Sequence, residues 1–106
     1  MLFGEKILDY WDDILKDLAT VVAIPSVATP QEGEHPYGDE GARAIDTVIK
    51  MAEGYGLKAK NVGYHAAHAE YGEGQGNAVV MAHLDVVPAG EGWDTDPYTM
   101  VIDDNL

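Results

Sequence analysis

A histidine and an aspartate stand two residues apart in His83-Leu84-Asp85. Neutral imidazole is a good zinc ligand. A carboxylate that accepts its other ring N–H fixes the tautomer and strengthens the donor. In extended backbone, residues two apart point to the same side, so His83 and Asp85 can face one pocket. The preceding run, Ala78 to Ala82 (AVVMA), is short, apolar and bounded by a glycine-rich turn. It is expected to form a strand buried on both faces. Such a strand would deliver the pair to its carboxyl end, where ligands sit in open α/β sheets. The tripeptide alone suits two readings: a metal ligand with its supporting carboxylate, or a hydrogen-bonded structural histidine, the commoner fate of a histidine beside a buried strand.

Other residues of chemical interest have plainer expected roles. His65 and His68 are three apart, a spacing that could share a metal on a helix. They flank two alanines in a strand-like stretch, so a solvated or structural role is expected for both, and His35 is the remaining histidine. Trp93 is expected to anchor packing beneath a glycine-rich loop, Pro88 and Pro97 to shape loops, and Glu91, Asp94 and Asp96 to be surface charges. Gly72 to Gly76 (GEGQG) lacks the Gly-Lys-Ser/Thr ending of a phosphate-binding loop. Neither a Gly-x-Ser-x-Gly nucleophile elbow nor a His-Glu-x-x-His zinc helix is present. With no cysteine, thiol catalysis, thiolate metal sites and disulfides are excluded.

The elements that must position the pair follow from periodicity. Ile7, Leu8, Trp11, Ile14, Leu15, Leu18 and Val22 draw one apolar stripe, predicting a helix from Glu5 to about Val22 that stops at Pro25. Ser26 to Asp39 holds two prolines and two glycines and is expected to be a loop. A second helix is predicted from Asp39 to Glu53, with Ala42, Ile45, Val48, Ile49 and Ala52 on its apolar face and Gly54 and Gly56 ending it. Strands are predicted at 57–64, 69–71, 78–82 and 98–102, followed by a turn at Asp103-Asp104-Asn105. Two helices followed by strands define an α/β or α+β layer, without repeats or a domain linker.

The totals bound the function. The 106 residues carry 19 acidic and 6 basic side chains, a net charge of −13. Such a surface repels phosphate backbones, so no nucleic-acid or anionic-membrane partner is expected. No apolar run approaches the ~20 residues that span a bilayer. The acidic N-terminus lacks the basic and apolar regions of a signal peptide. Together with the lack of cysteine, this suggests a cytoplasmic location.

The longer string HLDVVPAGEGW followed by DPY, from His83 to Tyr98, resembles the first metal motif of the zinc aminoacylase/carboxypeptidase/dipeptidase family. HAEYGEG upstream and YTMVIDDN downstream resemble its bacterial carnosinase-like (Xaa-His) dipeptidase branch. IPSV and GDEGARAIDTVIKMAEGYGLK fall in the expected order, so the resemblance covers nearly the whole chain. It implies that residues 1–106 are the N-terminal part of an α/β catalytic domain of a co-catalytic zinc peptidase. It implies His83 as a ligand to one of two zinc ions and Asp85 as the catalytic-site aspartate that holds this histidine. It also implies a dipeptide substrate and metal-assisted hydrolysis, with a bridging aspartate, a glutamate base and further ligands supplied downstream. The 106 residues alone are then expected to be inactive and to self-associate through uncovered sheet. Two alternatives stand beside this one: a non-enzymatic remnant or acidic interaction module, and a deacylase or carboxypeptidase of the same family.

Overall fold

The computed structural model describes residues 3–103, which fall into two compact units. The first joins the N-terminal segment through Ile24 to the segment from Ala89 onward. The second runs from Pro25 to Pro88 and contains His83 and Asp85.

In the first unit the expected single helix is divided. Helix α1 (Phe3–Lys6) passes into a 3₁₀ turn (Ile7–Tyr10) before α2 (Trp11–Val22) begins. Tyr10 leaves helical geometry at φ −105° and ψ 9°. The restart at Trp11 places Asp12 and Asp13 in a first turn, where the positive end of the helix dipole favours acid. Ile7, Leu8, Trp11 and Leu18 of the predicted stripe are exposed, Ile14, Leu15 and Val22 are half-buried, and Ile24 just beyond is buried. The strand expected at 98–102 is not formed. Asp96 captures the local donors instead: its Oδ1 accepts the Tyr98 N–H at 2.8 Å, and its carbonyl accepts the Thr99 N–H at 3.2 Å. This side-chain turn outcompetes extension. Trp93 is exposed rather than a packing anchor, and its indole N–H donates to the Ala89 carbonyl at 2.8 Å. Of the expected turn at Asp103-Asp104-Asn105, the last two residues lie outside the described range.

In the second unit, the loop through Ser26–Asp39 carries no helix or extended strand and gives way to α3 (Asp39–Gly54). The entry to α3 depends on Gly38, whose φ is +97° and whose missing Cβ would lie 3.3 Å from the Thr29 Cβ. Both conditions favour glycine. Ala42, Ala44 and Ile45 are the buried residues of α3; Val48, Ile49 and Ala52 are half-buried. The helix closes as its glycines predict, with the Leu57 N–H returning to the Ala52 carbonyl at 3.0 Å across Gly56 at φ +84°.

Strands β1 (Lys58–Val62) and β2 (Ala66–Glu70) pair antiparallel, Lys58 opposite Glu70 and Val62 opposite Ala66, and pack on α3. The first pair of expected strands is therefore realised as one hairpin. The strand expected at 78–82 is not: this segment forms no strand or helix, with Val80 96% and Met81 91% exposed. A strand buried on both faces needs neighbouring strands and covering layers. The two-stranded sheet ends at β2, so the apolar character of AVVMA goes unused here. No helix of the described residues is long and apolar enough to cross a membrane.

Candidate functional site around His83

Ser26 locates the site. It is buried, and its hydroxyl donates to the Leu84 carbonyl at 2.6 Å while its own carbonyl accepts the Val86 N–H at 3.1 Å. Val27 and Val86 then form a single parallel bridge. These ties fix the backbone on both sides of Asp85, although no strand precedes it.

His83 and Asp85 come together as their spacing suggests. The His83 Nδ1 lies 2.9 Å from the Asp85 carbonyl oxygen and 3.2 Å from its Oδ1. A peptide carbonyl only accepts, so Nδ1 carries the proton and donates. In the neutral ring the lone pair then sits on Nε2, the form in which imidazole binds a metal. The histidine side chain is 84% exposed and the aspartate 63%.

Both residues border a cleft of about 540 Å³. Ile45 and Val48 of α3, Ala67 of β2 and Leu84 give it an apolar lining. Tyr37, Tyr64 and His65 complete its wall. Tyr64 and His65 are presented by the hairpin turn, where Gly63 (φ +60°) and Tyr64 (φ +55°) are both left-handed and the His65 N–H bonds to the Val62 carbonyl at 3.1 Å. Left-handed geometry is strained for tyrosine. The Asn61 side chain, accepting the Tyr64 N–H at 2.7 Å, and Asp46, accepting its hydroxyl at 3.2 Å, hold it. Burial and the Asp46 carboxylate both push the Tyr64 phenol above its ordinary pKa.

Two histidine–tyrosine pairs cross between the loop and this turn. The His35 and Tyr64 rings meet edge-on at 4.8 Å, and the Tyr37 and His65 rings at 5.4 Å, with the His65 Nδ1 3.3 Å from the Tyr37 hydroxyl. His35 also donates from Nδ1 to Asp39 Oδ1 at 2.8 Å. That hydrogen bond, and then the charge of His35, hold the Asp39 carboxyl below its usual range. His68 stands apart from the cleft, 3.5 Å from Glu70. The sequence identified His83 and Asp85 but assigned no part to Ser26, Tyr37 or Tyr64. The Gly63-Tyr64-His65 turn is the one local signal for the last of these.

As a zinc site the arrangement is incomplete. His83 supplies one nitrogen and Asp85 a carboxylate already turned to the imidazole, whereas zinc takes three or four protein ligands. Among the described residues no group of three His, Cys, Asp or Glu side chains could hold a metal ion.

No protein-family model matches the chain. Among curated proteins the chain resembles proteins named as dipeptidases. The chain is 36% identical over 106 residues to a Staphylococcus saprophyticus protein named "Putative dipeptidase", an alignment covering 98% of this chain and 23% of that protein. A Staphylococcus haemolyticus protein of the same name is 34% identical over 106 residues, with the same coverage of 98% and 23%. One from Staphylococcus aureus is 33% identical over 103 residues, covering 95% of this chain and 22% of the relative. The chain thus spans about a quarter of the length of the curated relatives it matches.

Proposed function

We propose that this chain is the N-terminal portion of a dipeptidase and contributes His83 as a zinc ligand. The carrying observation is the contact of Nδ1 with Asp85, at 2.9 Å from its carbonyl oxygen and 3.2 Å from its Oδ1, which leaves the Nε2 lone pair for a metal. The similarity to proteins named as dipeptidases supports the reaction class. The longer motif HLDVVPAGEGW supports a pair of metal ions, and HAEYGEG and YTMVIDDN support the carnosinase-like branch. Asp85 holds the Nδ1 edge of the imidazole fixed and raises its basicity. A zinc pair, when bound, would supply an activated water and polarise the scissile carbonyl. The ligands still needed would come from residues outside the described site, so the 106 residues alone would hold no complete centre. A cytoplasmic location belongs to the same proposal.

The incomplete ligand set favours a second reading, an acidic interaction module without catalysis. One experiment separates the two. Zinc content and hydrolysis of alanine-initiated dipeptides are measured on the 106-residue chain and on any longer reading frame that carries it, each beside His83→Ala. The expected result is zinc and turnover in the longer protein, both lost in His83→Ala, and neither in the short chain. Zinc content and turnover unchanged by His83→Ala would overturn the assignment. A panel that also contains acetylated amino acids distinguishes a dipeptidase from a deacylase by which substrate is cleaved faster.

A further inference from the structure

We infer that Ser26 is a positioning residue for His83: it holds both peptide units that flank Asp85 and so aims the Asp85 carbonyl and carboxylate at the imidazole. That the aim serves a metal ligand rests on the function proposed above; the hold itself rests on the bonds. The Ser26 hydroxyl donates to the Leu84 carbonyl at 2.6 Å, in the peptide unit that enters Asp85. Its carbonyl accepts the Val86 N–H at 3.1 Å, in the unit that leaves Asp85. Peptide units are planar, so a residue turns only about its φ and ψ. Holding the unit on each side sets both angles of Asp85, and with them the direction of its side chain. The unit that gives its N–H to Ser26 is also the one whose carbonyl oxygen meets the His83 Nδ1. One residue thus governs both contacts of the ring, the carbonyl at 2.9 Å and the carboxylate Oδ1 at 3.2 Å.

Ser26 suits this part because it is itself fixed. It follows a proline, and the Val27 N–H closes a γ-turn around it onto the Pro25 carbonyl at 2.8 Å. It is 3% exposed, the one polar residue buried among the described residues, so water does not compete for its hydroxyl. His83 has no such support of its own. Its side chain is 84% exposed, and residues 71–85 form no helix or strand. The backbone bond from Val86 would survive a change of side chain at position 26, whereas the bond to Leu84 needs a hydroxyl. Losing it frees the peptide unit through which His83 reaches Asp85 and leaves the Leu84 carbonyl without this partner.

The test uses the metal-free 106-residue chain and reads the imidazole directly. Nitrogen and carbon NMR of the His83 ring are recorded well above the ordinary histidine pKa of about 6.5, where the ring is neutral and its two tautomers are distinguished. The wild-type ring is expected mainly in the Nδ1–H form. Ser26→Ala should lower the ratio of Nδ1–H to Nε2–H roughly two- to tenfold, the range that one hydrogen bond spans. Ser26→Thr keeps the hydroxyl and should keep the ratio. Ser26→Val, nearly the same shape without the hydroxyl, should lower it as Ser26→Ala does, and this pair gives the answer if Ser26→Ala does not fold. Ala44→Gly, which weakens α3 but removes none of these bonds, should leave the ratio unchanged. A wild-type ring mainly in the Nε2–H form, equal ratios in folded Ser26→Thr and Ser26→Val, or the same fall in Ala44→Gly would overturn the inference. A tautomer that follows Ser26 in a chain whose longer form takes up no zinc would keep the positioning and remove the metal reading. Zinc lost in His83→Ala of the longer form, with a tautomer indifferent to Ser26, would do the reverse.

Discussion

At His83 the decisive detail is which ring nitrogen is occupied. The Asp85 carbonyl oxygen lies closer to Nδ1 than the carboxylate does, 2.9 Å against 3.2 Å. The backbone therefore shares the task of fixing the tautomer, and the side chain adds charge. If His83 binds zinc as proposed, Asp85→Ala should weaken zinc binding by roughly tenfold, at the mild end of the range for losing such a partner. His83→Ala should abolish the contribution of this ligand. Competition against a chromophoric chelator measures both on a protein with the complete ligand set. Equal losses from the two substitutions would show that the carboxylate, and not the carbonyl, governs the ring. This much was legible in the sequence, because a spacing of two is enough to bring the two side chains to one side. The contact from Ser26 to Leu84 was not legible, because it joins residues 58 apart and no local pattern encodes a contact at that separation.

Among the elements, α3 followed its sequence closely because every local cue agrees there: an apolar stripe of period 3.6, acid in the first turn and glycine beyond the last. The segment 78–82 diverged because a buried strand is defined by its neighbours, which its own residues do not supply. The first helix diverged at Tyr10, where the stripe continues but the backbone does not. The start of α3 carries a pH dependence. Asp39 is its first residue and receives the His35 hydrogen bond, which, with the His35 charge, depresses its pKa below the ordinary carboxylate value. A carboxyl depressed in the folded state stabilises the fold at pH above its unfolded value, and that stabilisation fades as pH falls through the folded value. His35→Ala should move the Asp39 titration back up toward the ordinary carboxylate value, as followed by carboxyl carbon NMR. It should also flatten the loss of stability on the acid side of that pH. An Asp39 titration unchanged in His35→Ala would assign the depression to the helix terminus instead.

Taken as a whole molecule, the chain sets two forces against each other. Residues 77–82 (NAVVMA) form a six-residue stretch without charge, proline or glycine, and Val79, Val80 and Met81 lie largely exposed outside any helix or strand. An exposed apolar segment of this kind is a template for strand addition by another chain. Against it stands a net charge of −13, which keeps copies apart. Salt screens the repulsion, with a Debye length falling from about 30 Å at 0.01 M to about 8 Å at 0.15 M, and leaves apolar contact intact. Self-association of the 106-residue chain should therefore rise with both protein concentration and ionic strength, seen by light scattering as a growing mean mass. Val80→Lys, which places a charge on the fully exposed residue of the run, should restore the monomer at the same salt without changing the circular dichroism of α3. A wild-type chain that stays monomeric at millimolar concentration and high salt would mean that residues 77–82 are covered in solution by the chain itself. Association that falls as salt rises would mean that ion pairs, not the apolar run, join the copies.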